Sequence, residues 1–432
     1  MTNVTLSVYR DCYDKYQLVG TLSVDGKDGD NVSFVYDKQY LSSPDAHAIS
    51  VTLPLTPVPY RGRLVRSWFG ALIPEGRAAV ELSRQYRVDA DNFVGMIEKL
   101  NDETIGCLVF ATPDTIPGKR EAYQQLDSTF LELFAASPIR MAQQTLGEAR
   151  LSLAGEMSKV GLYRDESSGN WFLPVGSAPS THIVKACTGE YPGQTINEAL
   201  CMKAAELCEL EVPDTYLLDC GASEPILVSR RFDRRLEGSG RLVSGLVRPI
   251  RLHQEDFCQA LGVPTALKYE MTGANFLENM AHCVSQSCDN AFGERLILLE
   301  SVVFSYLVGN CDNHLKNYSL LYDRNMMGCT VSPTYDVTST TYYPELSRDM
   351  GVSLTMSRRI DDVRREHLES ACKRVGVSLR VGMNVIDNLR QKLPGAIEAA
   401  RDYYRAKGIA GIDVVADGLL LGVRERVEAT RL

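Results

Sequence analysis

Apolar positions fall first into short runs and later into long helical stripes. Val4–Tyr9 and Leu18–Val24 are short apolar segments with Asp/Gly turn signals between and after them, the last being DGKDGDN, and this pattern predicts strands. SWFGALIPEGRAAVELSRQY then reads as helix, its proline marking a kink or a new first turn. IGCLVFA, over Ile105–Ala111, predicts a buried strand. The segment after it, TPDTIPGKREA, carries two prolines and a glycine, so a boundary is expected there.

From about 119 to 250 the pattern alternates. THIVKA (Thr181–Ala186) predicts a short strand. A helix is expected from about Thr195 to Glu211, where Ala199, Met202, Ala205 and Leu207 recur near helical spacing and Val212-Pro213 closes the run. TYLLDC and PILVSRRFD predict two more strands. Beyond about 251 helices dominate. RLILLESVVFSYLVG (Arg295–Gly309) is the most apolar of them, and VRREHLESACKRVGV and NVIDNLRQ with AIEAARDYYRAKG are amphipathic. Between these lie GNCDNHLKN, two strand-like runs (YSLLYD and GCTVS), and SPTYD. The expected fold class is α+β, with a β-rich part over 1–118, a mixed part over 119–250 and a helical part over 251–432. No internal repeat or low-complexity linker interrupts it.

Length and composition agree with this division. A chain of 432 residues exceeds one typical core. Hydrophobic residues at 44% and charged residues at 23% are ordinary for a globular protein. A net charge of −9 argues against a broad, sequence-independent grip on nucleic acid. The twelve cysteines form no CxxC pair, and reduced, buried thiols are expected. The start, MTNVTLSVYRDC, lacks a signal-peptide pattern, and no apolar run is long enough to span a bilayer. The expected setting is the cytoplasm, without membrane contact, so the Asn-x-Ser/Thr triplets at Asn3, Asn31 and Asn317 are chance matches.

Chemistry concentrates in GNCDNHLKNYSLLYD and SPTYD. Asp312 and Asn317 are separated by four residues, and Asp336 follows after a short hairpin. Phosphoryl-transfer loops use this spacing: the first Asp accepts or orients a substrate hydroxyl proton, while the Asn and the second Asp hold Mg²⁺. The competing reading makes Asp312, Asn313, His314 and Asn317 loop formers and caps. Lys185 ends the THIVK strand, where a lysine can reach nucleotide phosphates, with Glu198 on the next helix as its natural ion-pair partner; the alternative is a solvated edge lysine. RLSLAGEMSKVGLY (Arg150–Tyr163) precedes that strand. Backbone N–H groups from Ala154 through Gly155 and Glu156 to Met157 can form an anion nest beside Lys159, although the stretch is no Walker A loop.

Taken together these stretches resemble the HipA family, kinase toxins of bacterial toxin–antitoxin pairs. In family order they are PLTPVPYRG, SWFGALIPEG, IGCLVF, SLAGEMSK, THIVK, NEALCMKAAELCELEVP, RRFDRR, LHQEDFCQALGVP, GNCDNHLKN and SPTYD, covering nearly the whole chain. The resemblance implies a two-lobed, protein-kinase-like fold and transfer of the ATP γ-phosphoryl group to protein serines. It makes Asp312 the catalytic residue, Asn317 and Asp336 the Mg²⁺ ligands and Lys185 a phosphate ligand. His314 and Lys316 would contact phosphate or shape the loop. Ser229, Arg230 and Phe232 would lie in the hinge beside adenine, although Arg230 stands where relatives often have Glu. Ser152 would open the phosphate loop and be its autophosphorylation site, where added negative charge repels nucleotide. Glu156-Met157-Ser158 departs from the usual loop. Implied partners are a small helix-turn-helix antitoxin of HipB type, DNA only through it, and a protein target such as an aminoacyl-tRNA synthetase. A pseudokinase corepressor and a small-molecule phosphotransferase are the alternatives.

Overall fold

The computed structural model describes residues 4–24, 31–89, 91–100, 104–118, 120–142, 157–238 and 240–431. The chain divides into two compact units. The first takes Met1–Thr188, Arg230–Thr265 and Leu321–Gly328; the second takes Gly189–Ser229, Ala266–Leu320 and Cys329–Leu432.

The first unit contains a five-stranded antiparallel sheet in the order Tyr60–Arg61, Val32–Tyr36, Tyr16–Val24, Val4–Asp11, Leu108–Ala111. Strict alternation along Val32–Tyr36 sends Val32, Phe34 and Tyr36 to the buried face. They pack with Leu6, Leu22, Trp68, Phe69 and Phe110 into one core. The helical stretch around Pro74 forms two helices, Arg63–Gly70 and Gly76–Tyr86, with the new start just after the proline, which cannot donate into a continuing ladder. The Ile105–Ala111 strand starts late, at Leu108. Gly106 sits at φ 72°, a left-handed turn that no strand accommodates.

Four more strands in this unit run Ala122–Gln125, Trp171–Val175, Ser158–Arg164 and His182–Ala186 in spatial order. Buried ion pairs tie them to the rest of the unit. Arg248 is fully buried and bonds Asp11 at 2.6 Å and Glu121 at 2.8 Å. In RRFDRR, Asp233 accepts from Arg231, Arg234 and the Gly106 amide. Burial alone would raise its carboxyl; the two guanidinium groups overcome that and hold it well below the usual carboxylate range. The Glu255 carboxylate of LHQED receives Ser50, the Val51 amide, Trp68 Nε1 and Tyr322. These bonds fasten the loop before PLTP to the second half of the unit.

The second unit is mainly helical: Gln194–Leu207, Phe276–Ser287, Ala291–Val308, Arg365–Arg374, Leu379–Ala406 and Ile412–Ala429. The helix expected to reach Glu211 stops at Leu207, and Glu209 at φ 70° turns the chain away before Pro213. The apolar helix Ala291–Val308 is capped by the Asn290 side chain on the Gly293 amide and ends at Gly309, φ 84°. Arg426, nearly buried, donates its Nε to the Leu307 carbonyl at 2.9 Å, placing a cation on the negative end of that helix. Burial brings its pKa down to about 10, still charged at neutral pH. Among the described residues no helix is long and apolar enough to cross a membrane.

Replacing Arg248 with Met should cost about 3–5 kcal/mol, because two buried carboxylates lose their shared cation. A fall of that size in the unfolding free energy from urea titration, with secondary structure retained in buffer, is the expected measurement.

Candidate active site

The helix ending at Val308 delivers Asn310–Asn317 as a loop whose bonds are largely its own. His314 N donates to Asp312 O at 2.9 Å, Asn317 N to His314 O at 2.9 Å, and Asn317 Nδ2 to Asp312 O at 2.7 Å. The two residues expected to do chemistry are therefore joined directly. Asp312 keeps half of its side-chain surface open to solvent. The loop is held from outside as well. Thr340 Oγ1 accepts the Cys311 amide at 2.8 Å. The buried Asn313 side chain accepts Gly351 N at 2.8 Å and Val352 N at 3.2 Å, and donates to Val352 O at 3.2 Å.

His314 stands in the middle. Its Nε2 lies 3.8 Å from Asp312 Oδ1. Burial pushes its pKa down to about 3, Lys268 and Lys316 push the same way, and the Asp336 carboxylate opposes them. The imidazole is thus neutral at physiological pH. The Asp336 carboxylate thus acts electrostatically on the same ring that Asp312 approaches.

Two short strands, Ser319–Tyr322 and Cys329–Val331, separate Asn317 from Asp336, as the spacing predicts. SPTYD is then tied back to the loop. Tyr335 donates to Lys316 O at 2.7 Å and pairs with Ser319 Oγ at 2.7 Å. Downstream, Asn197 bonds both Ser339 N (2.8 Å) and Ser339 O (3.0 Å). Between these anchors Asp336 adopts φ 57°. A left-handed non-glycine residue costs on the order of 1–2 kcal/mol, which the flanking bonds offset.

The other expected site residues are placed as follows. Lys185 is buried on the strand His182–Ala186 of the first unit and lies opposite Lys159 in register on the neighbouring strand. Met157 is buried beside that strand's start. Arg230 is exposed and Phe232 half-buried, in the first unit; Ser229 pairs with Thr215 in the second. Glu198 is buried on the helix Gln194–Leu207 of the second unit. Ser152, Ala154, Gly155 and Glu156 lie outside the described residues. Asn197, Gly351 and Tyr269, whose hydroxyl donates to Asp312 Oδ1, were not singled out by spacing, while Asn313 has the loop-forming role the competing reading gave it. Their partners are 38 to 142 residues away, beyond any local pattern.

An α+β chain with a β-rich N-terminal region, a helical C-terminal region and this loop defines a kinase-type protein of one family. Residues 151–397 match the HipA-like C-terminal domain and residues 11–111 the HipA N-terminal domain, so the chain belongs to the HipA family. It is 30% identical over 401 residues to a protein of Sinorhizobium fredii named putative kinase Y4mE, covering 90% of this chain and 91% of that one. It is 24% identical over 399 residues to the serine/threonine-protein kinase toxin HipA of Shewanella oneidensis, covering 88% and 86%. A solved structure of the Shewanella oneidensis MR-1 toxin–antitoxin system, HipA, HipB and its operator DNA, shares the fold with TM-score 0.78 at 21% identity, covering 98% of this chain and 97% of that one.

Gly351 packs against the loop so closely that an added Cβ would come within 2.7 Å of His314 N and 2.8 Å of the Asn313 carbonyl carbon. Gly351→Ala should therefore lose about 1–3 kcal/mol. Gly395→Ala, where a Cβ meets nothing within 4 Å on a helix, should gain about 0.5–1 kcal/mol. Thermal unfolding of the two variants should move in opposite directions.

Proposed function

We propose that this chain is a Mg-ATP-dependent protein serine/threonine kinase acting as the toxin of a HipA/HipB-like pair. The observation that carries this reading is the joined Asp312–Asn317 loop, with the segment that bears Asp336 tied back to it through the Tyr335 hydroxyl on Lys316 O. Asp312, half open to solvent, takes the substrate hydroxyl proton. Asn317 uses its amide nitrogen within the loop, which leaves Oδ1 as the atom to face a cation. With Asp336 it offers two oxygen ligands.

Those ligands fit Mg²⁺, a hard cation that keeps several waters and binds through one or two carboxylates plus substrate phosphates. Among the described residues no three His, Cys, Asp or Glu side chains gather as a metal cluster, so the rest of the shell falls to water and phosphate oxygens. Held by Asn317 and Asp336, the ion would supply positive charge to the transferring phosphates. Lys185 and Lys159 supply positive charge for phosphate in the first unit, and Glu198 is assigned as the Lys185 partner. Ser229, Arg230 and Phe232 are assigned to the adenine side. Ala154, Gly155, Glu156 and Met157 are assigned to the phosphate loop.

His314 stays neutral beside Asp312 and so does not neutralise the carboxylate before it takes a proton. Lys316, in the same loop, is assigned to phosphate or loop shape. A small antitoxin of HipB type is the proposed partner, with operator DNA reached through it, in line with the net charge of −9. Autophosphorylation at Ser152 and an aminoacyl-tRNA synthetase target complete the reading.

Asp312→Asn should reduce phosphoryl transfer from labelled ATP by roughly 10²–10⁴-fold, the range of general acid–base contributions, while the thermal midpoint stays near that of the parent. Label on serine or threonine of the chain itself or of a lysate protein is expected with Asp312 intact. No labelled protein with Mg²⁺ present would remove the kinase reading.

A further inference from the structure

One hydrogen bond to the Asp312 carboxylate comes from a residue outside the loop. Tyr269 donates its hydroxyl to Asp312 Oδ1 at 2.5 Å. Tyrosine at a surface ordinarily swings its ring freely, and this one is 45% exposed. Here the backbone on both sides of it is fastened. Leu315 N donates to Lys268 O at 3.2 Å, and Glu270 N donates to Gly351 O at 2.8 Å. The Glu270 carboxylate accepts Phe276 N at 2.8 Å and Ser353 N at 2.5 Å, and Arg358 donates to Glu270 O at 2.6 Å. The ring is fixed as well, its edge set against His314 with centroids 5.1 Å apart at 83°. Lys268 Nζ stands 5.5 Å from the ring centroid.

We propose that Tyr269 is a positioning residue for phosphoryl transfer, binding one carboxylate oxygen of Asp312 so that the other is presented to the substrate hydroxyl. A free carboxylate rotates about its χ2 bond and offers either oxygen in a broad arc. A hydroxyl anchored at Oδ1 removes that freedom before substrate arrives, and orientation of this kind carries a large share of a catalytic group's effect. The groups around the pair are those of the loop and of the same segment: His314 at 3.8 Å from Oδ1, Lys268 over the ring, and Lys316 and Asp336 acting on His314. The role rests on the kinase reading above and extends it.

The test uses the full chain, Tyr269→Phe, and two readouts. In steady-state kinetics Y269F should lower kcat by about 10²-fold, the cost of a misplaced reacting group, with KM for MgATP and the thermal midpoint unchanged. In ¹³Cζ-tyrosine NMR without nucleotide, the resonance that Y269F removes should shift when Asp312 is replaced by Ala. A parent-like or raised kcat in Y269F overturns the proposal, a raised value meaning that the hydroxyl blocks the substrate. A fall in kcat matched by a rise in KM or a loss of thermal stability also overturns it, since the residue would then be structural. A parent chain that transfers no phosphoryl group sinks the kinase reading alone; the NMR arm then decides the contact, and a resonance insensitive to Asp312→Ala overturns that too.

Discussion

The amide side chain of Asn313 bonds in both directions to the Gly351–Val352 backbone, and the geometry of the loop depends on that pairing. A loop is normally the most mobile part of a fold. This one has Asn313 spent on structure, which helps to set the backbone of the residues on either side, Asp312 and His314. Gly351 allows the two backbones to approach closely enough for the pairing to form. Tyr335 and Asn197 repeat the arrangement for the Asp336 segment, one on each side of it. Side chains with two-way hydrogen-bonding capacity thus replace a regular ladder at the positions where the backbone is irregular.

The first unit solves a different problem. Its pieces come from three stretches of sequence, and hydrophobic burial alone does not specify which pieces meet. Three buried carboxylates, Asp11, Asp233 and Glu255, each collect donors from distant segments. Such groups add little net stability compared with well-packed apolar residues, yet a mismatched pairing would strand a charge. They favour the assembly of this unit in which these three carboxylates find their donors.

The strands at Val4 and Tyr16, the apolar helix before Gly309 and the two strands between Asn317 and Asp336 were legible because each is written locally: alternation, a continuous stripe, or fixed spacing between turn residues. The family likeness, read from ten short motifs in order, agrees with the domain matches over 11–111 and 151–397. The strands Ser158–Arg164 and Trp171–Val175 escaped, since Gly161 and Pro174 break the expected strand chemistry, and SKVGLY was taken with the turn before it. The helix end at Leu207 was displaced by a left-handed residue, Glu209. Tyr269 escaped for another reason. Its partner lies 43 residues away, and nothing in KYE marks a tyrosine whose hydroxyl meets a carboxylate.

Arg426 reaches back 119 residues to the end of the helix that leads into Asp312. Chains are made from the N-terminus at a finite pace, and segments fold as they emerge. An unfinished chain that stops short of position 426 already carries Asp312, Asn317 and Asp336 but lacks the cation that finishes the helix terminus behind them. The terminus of that helix is therefore finished only once position 426 has been made, long after the loop that follows it.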